Sequence, residues 1–162
     1  MTTVGQVKTV WRGVWLTARQ ADAFDAAEKA IRRRYWGFRF TAFQGSWRPE
    51  TSYSGTTHTQ AGVADLGYAD IGSTSPRGKE KYRYVLRTLR QVGHQAAFGR
   101  GPWNAMPYHY HVCDLNVAHM APAAQWQVAQ YGMGYDGLTA GAKDPYPFRP
   151  NPLSPYPYWE KS

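Results

Sequence analysis

The chain has 162 residues, with 19 Lys and Arg against 11 Asp and Glu, a net charge of +8, and one cysteine. That length suits one domain with its own core, and the lone Cys113 excludes a disulfide framework within the chain. No window approaches the run of about 20 apolar residues that a membrane span needs. The first residues lack the basic-then-apolar pattern of a secretory signal, so the sequence predicts synthesis in the cytoplasm without a leader.

The positive charge favours anionic partners: nucleic acid, acidic lipid, or a bacterial wall with its carboxylates and phosphates. No nucleic-acid motif accompanies it, and charge with aromatic rings is a thin basis for that reading. Nucleic acid is therefore not the expected partner.

In chain order, residues 1–16 hold Val10, Trp11, Val14, Trp15 and Leu16 and read as an extended arm or short strand packed on the body. A helix over 18–35 follows, with Thr17 and Gln20 spaced as a capping box and Ala21, Phe24, Ala27, Ile31 and Tyr35 as its buried stripe. Arg32, Arg33 and Arg34 load its last turn, where the dipole favours cations, and read as a solvated helix end. Gly37 ends the helix, and 38–43 alternates as a strand. The Ser-, Thr- and Gly-rich stretch 51–57 reads as a loop able to border a substrate cleft.

The alternation continues over 62–68, with Val63, Asp65 and Gly67 on one face and Ala64 and Leu66 on the other. Ser75-Pro76 opens a second helix as N-cap and first residue, running to Val92 with Tyr82, Val85, Leu86, Leu89 and Val92 inside and Gly93 as cap. A short strand at 94–98, a turn-rich loop at 99–107, a strand at 108–115 and a third helix at 122–131 complete the body. From 144 to 162 proline alternates with Tyr and Phe, so this segment reads as an extended tail behind a single domain at 1–143. The class is α+β: a small central antiparallel sheet flanked by helices.

The chemistry lies at two places. His58 stands seven residues before Asp65, and the strand at 108–115 carries His109-Tyr110-His111, with His109, His111 and Cys113 on one face. Two imidazoles and a carboxylate are the ligand set of an open zinc site, whose fourth position belongs to water. Such a water loses its proton near neutral pH and becomes a usable nucleophile. Cys113 reads as a buried structural thiol, and His94 and His119 as core or surface histidines.

Together with Gly45-Ser46-Trp47-Arg48, these motifs resemble the LAS metallopeptidases, which comprise the zinc D-Ala-D-Ala carboxypeptidases, the vancomycin-resistance dipeptidases, the phage L-Ala-D-Glu endolysins and the hedgehog signalling domain. The likeness covers roughly residues 40–115 at motif level, and the His119-Met120-Ala121-Pro122 segment looks like a branch found in actinobacteria and their phages. It implies a hedgehog or D-Ala-D-Ala peptidase-like fold, with His58, Asp65 and His111 as zinc ligands. His109 would stand beside the metal as a proton-transfer group, and Arg48 would stabilise the oxyanion formed as water attacks the peptide carbonyl. The chain departs from the family pattern at Tyr108, where many members have a glutamate as general base. Ala105 and Met106 supply no substitute, and Gly62 lies one place later than usual. His109 is the first choice for the base, with Asp114 and Asp70 as alternatives.

The resemblance implies a monomeric zinc peptidase that cuts peptidoglycan stem peptides at the bacterial cell wall, released by a holin or carried in a virion. Its basic surface suits an acidic wall. The alternative is a non-catalytic module of the same fold that keeps zinc and binds wall or a partner.

Overall fold

The computed structural model of the protein describes residues 7–49, 56–102, 106–115, 120–137 and 141–146. The loop expected at 51–57 falls mostly outside these residues, as do His119, Ala105 and the tail from 147 to 162.

The N-terminal arm is a hairpin of β1 (Lys8–Trp11) and β2 (Val14–Thr17). Its turn residues Arg12 and Gly13 both have positive φ, 49° and 84°, the turn whose twist matches that of the flanking strands. Arg12 is tied down by an ion pair of 2.7 Å to the buried Glu28.

Helix α1 (Ala18–Arg32) opens as the sequence predicts, with Thr17 Oγ1 accepting from the Gln20 amide at 3.1 Å. The reciprocal half of the capping box is absent. The Gln20 side chain instead donates to the Gly62 carbonyl and to Gln95 Oε1, each at 3.2 Å, and so fastens the helix start to the sheet. The helix is one turn shorter than expected. Arg33 to Tyr35 continue it in tighter turns, and Gly37 adopts the left-handed conformation, with φ 73°. In the Arg run, Arg32 pairs with Glu28 and Arg34 with Glu80.

The next strand, β3, spans Thr41–Gln44 rather than 38–43. Phe38 and Phe40 are buried as their alternation predicts, but the Phe38 amide donates to Tyr35 and the Phe40 amide to Glu28 Oε2. With those donors taken, pairing begins three residues later. A 3-10 turn (Thr57–Thr59) and β4 (Val63–Gly67) follow. Helix α2 (Pro76–Gln91) is capped by Ser75, whose hydroxyl accepts from the Gly78 amide at 3.0 Å. Strands β5 (Gln95–Arg100) and β6 (His109–Asp114) and helix α3 (Pro122–Gly132) complete the described elements.

The four-stranded sheet has the order β3-β4-β6-β5, with every neighbouring pair antiparallel. One face sends Ala64, Leu66, Ala97, Tyr110 and Val112 into the main core with Phe24, Ala27 and Ile31 of α1 and Val85, Leu86 and Leu89 of α2. Each fully buried leucine here contributes about 1.5–3 kcal/mol. The other face sends Val63, Ala96, Phe98 and Cys113 against Met120, Ala124 and Tyr131, so α3 covers it. The molecule is thus α+β, with α1 and α2 below the sheet and α3 above. Among the described residues no helix is long and apolar enough to cross a membrane.

The fully buried Arg90 joins α2 to the start of the expected tail. It donates to the Ala97 carbonyl at 2.7 and 2.9 Å, to the Tyr146 carbonyl at 2.6 Å and to Asp144 Oδ2 at 2.6 Å.

Candidate metal centre

The α3-covered face carries the chemistry because of register. Asp65 of β4 lies opposite His111 of β6, and His111 lies opposite Phe98 of β5, so these three side chains share one face. Both Asp65 and His111 come from the two inner strands of the sheet.

His58 reaches the same place from the 3-10 turn, and the segment Gly45-Ser46-Trp47-Arg48 holds it there. The Gly45 carbonyl accepts from His58 Nδ1 at 2.9 Å, the Trp47 amide donates to Gln60, and the Arg48 amide donates to the His58 carbonyl at 2.9 Å. Ser46 Oγ ties this segment to both backbone groups of Val63, at 3.0 and 3.1 Å. Only glycine fits at 45, since a Cβ there would lie 2.3 Å from the Trp15 carbonyl. The motif is therefore a bracket for His58. Arg48 contributes its backbone to that bracket while its side chain is exposed, and Lys8 rather than Arg48 sits over the Trp47 ring, 4.6 Å from its centre.

His58, Asp65 and His111 are all buried, and one potential ligand atom from each lies within 4.8 Å of the others. Asp65 Oδ2 is 3.2 Å from His58 Nε2, and Oδ1 is 2.8 Å from His111 Nδ1. The outer nitrogens are both occupied. His58 Nδ1 donates to Gly45, and His111 Nε2 donates at 2.8 Å to Oε1 of Gln127 on α3.

These outer bonds decide the state of the rings. A carbonyl oxygen only accepts, so each outer nitrogen bears the proton and each inner nitrogen of a neutral ring bears a lone pair. Two lone pairs then face a carboxylate, an arrangement that needs either a second proton on each ring or a cation among the three groups. Burial pushes the His111 imidazole below its usual range despite Asp65 and so opposes its second proton. Burial alone would raise the Asp65 carboxyl, but in the state where the inner nitrogens carry protons, hydrogen bonds and charge from His111 and His58 outweigh it and hold Asp65 ionised, well below the usual carboxylate range. The group can hold a metal ion. Tetrahedral coordination sets ligand atoms about 3.4 Å apart, so the Asp65 contacts of 2.8 and 3.2 Å would lengthen slightly within a group whose ligand atoms all lie within 4.8 Å.

His109 lies two residues before His111 on the same face of β6, 5% exposed. Its Nδ1 donates to the Pro107 carbonyl at 2.8 Å, which leaves the lone pair on Nε2. Tyr108 is 43% exposed and its ring packs against Gly72, on the side of the sheet away from the metal group. The two alternative bases stand elsewhere: Asp114 is 3.5 Å from Arg19, and Asp70 is held by Lys81 at 3.0 Å. Cys113 is buried, with Sγ 3.7 Å from His111 Nε2, so it neighbours the outer nitrogen and not the ligand-facing one. Burial raises its thiol, which stays protonated at neutral pH.

Gln127 carries little signal in the sequence. The available signal is the inward spacing Ala124, Gln127, Tyr131 along α3, where a glutamine interrupts an apolar stripe.

No family model, curated protein or solved structure matches the chain.

Proposed function

We propose that the protein is a zinc peptidase of the LAS type that hydrolyses peptidoglycan stem peptides. The observation that carries this reading is the pair of imidazoles whose outer nitrogens are bonded to fixed acceptors while their inner nitrogens face one carboxylate. Second hydrogen bonds of this kind fix tautomer and ring orientation at metal sites. Two neutral imidazoles and one carboxylate suit zinc, and three protein ligands leave a position open for chemistry. The antiparallel sheet, with its ligands on the inner strands, also suits the hedgehog or D-Ala-D-Ala peptidase-like fold.

A bound zinc ion supplies Lewis acidity, which acidifies water and polarises a carbonyl. The protein's own part is to hold His58 and His111 in their ligand tautomers, keep Asp65 ionised and exclude bulk water from the buried group. His109 Nε2 takes the proton of the attacking water and delivers it to the leaving amine, because its Nδ1 is already committed to Pro107. Arg48, exposed beside the His58 bracket, serves the developing oxyanion. The net charge of +8 suits the acidic wall.

A second reading has one observation in its favour: Tyr108 stands where the family has a carboxylate, and its ring packs against Gly72. On that reading the protein binds wall without cutting it. Digestion of purified peptidoglycan with and without chelator, followed by mass spectrometry, separates the two. The peptidase reading expects new amino termini on stem peptides, lost with chelator and in His58→Ala. Intact wall that retains the protein establishes the binding module, and intact wall that does not retain it refutes both.

A further inference from the structure

On the opposite side of the sheet from the metal group lies a cavity of about 490 Å³ between α2, the end of β5 and the loop that follows β4. That volume falls within the range of small-ligand sites. Alternation places it on the α2 face: Gly99 stands between Phe98 and Arg100, and a Cβ on Gly99 would meet Tyr82 Oη of α2 at 2.2 Å. Tyr108 borders the cavity, while the adjacent His109 lies on the same face of β6 as His111, the face away from it.

The lining is one-sided in charge. Lys79 and Arg83, one turn apart on α2, and Arg100 at the end of β5 border it, and among the described residues no acidic residue does. Nearby acids are committed elsewhere: Glu80 to Arg34, Asp70 to Lys81 and Asp144 to Arg90. Among the described residues neither Lys79 nor Arg83 has an acidic partner. Lys79 also lies in the first turn of α2, which contains no acid, where the helix dipole disfavours a cation. A cation at that position gains nothing from the helix dipole and suits an external anion. Ser73 and Thr74 add hydroxyl groups, and Tyr82 and Tyr108 supply ring faces.

We propose that this cavity is a binding site for a phosphate-bearing sugar or polyol, distinct from the metal group. Lys79 and Arg83 take the phosphate, with Arg83 able to bond two of its oxygens, and the tyrosine rings cover the apolar face of the carbon skeleton. Two sources present this chemistry, a free sugar phosphate and the phosphodiester chain of a wall polymer. The site rests on no property of the metal centre.

The test is calorimetric titration of the intact protein at low salt with inorganic phosphate, N-acetylglucosamine 1-phosphate and a glycerol phosphate polymer. Saturable binding is expected, tighter for the sugar phosphate or the polymer than for inorganic phosphate. The tighter of the two identifies the source. Lys79→Ala/Arg83→Ala, both exposed positions, should weaken it at least about tenfold with melting temperature and metal affinity unchanged. His58→Ala should leave it intact. No saturable binding, equal binding of inorganic phosphate, or binding indifferent to Lys79→Ala/Arg83→Ala overturns the proposal.

Discussion

Replacing Gln127 tests whether α3 prepares His111 for a metal. In the protein as it stands, Gln127 Oε1 accepts from Nε2 at 2.8 Å, which keeps the lone pair on Nδ1 facing Asp65. Gln127→Met keeps the volume and removes the acceptor. The metal-free ring is then released to carry its proton on Nδ1 and donate it to Asp65, 2.8 Å away. Binding a metal would force the proton back to Nε2, where it is buried without a partner. An unsatisfied buried donor costs about 1–3 kcal/mol, and each 1.4 kcal/mol is tenfold, so zinc affinity should fall about 5- to 140-fold. Competition against a chromophoric chelator at fixed pH measures this directly. Gln127→Glu, which keeps the acceptor, should recover most of the loss. A Gln127→Met protein that is folded and binds zinc within twofold of the parent would refute the tautomer argument.

Arg90→Met should destabilise the fold by about 3–5 kcal/mol, because it removes the buried guanidinium that pairs with the Asp144 carboxylate, whose side chain is 3% exposed. Denaturant unfolding measures it, and a loss below about 1 kcal/mol would mean that Asp144 finds water. In the metal-free protein, where protons on the inner nitrogens take the place of a cation, Asp65 is held below its unfolded value, so its stabilisation is complete above about pH 4 and declines as pH falls below that. Asp65→Asn should therefore lose less melting temperature than the parent between pH 6 and pH 3. Equal losses would show that the carboxylate is not stabilised by its two histidines.

The strands that carry Asp65 and His111 were the most legible, because their patterns are set by burial on both sides. The alternation around Asp65 and around His109-Tyr110-His111 gave the faces that register later aligned, and Ser75-Pro76 marked the start of α2 where it is found. The hairpin was harder to read, since its turn uses Arg12 at positive φ, and that strain is relieved only by distant partners such as Glu28. Glu28 also moved the start of β3 by taking the Phe40 amide, a contact across twelve residues that no local periodicity encodes. Of the site, the grouping of His58, Asp65 and His111 and the shared face of His109 and His111 were visible in the sequence. The bracket made by residues 45–48 and the role of Gln127 were not, because both act through hydrogen bonds that exist only once the layers have assembled.

Asp65 and His111 lie on inner strands and His58 on a 3-10 turn, so a metal ion held by the three would rest on elements anchored to different degrees. Inner-strand amides are bonded on both sides, so they exchange with solvent only when the sheet opens as a whole. His58 stands instead on a single 3-10 turn, tied by a few hydrogen bonds to residues 45–48. No ladder bond of the four-stranded sheet involves that turn, so opening it would leave the sheet's pairing in place. A bound ion would then exchange through the His58 side, at a rate set by a local fluctuation and independent of global unfolding. The remaining pair on the sheet would keep its geometry throughout, ready for the next ion.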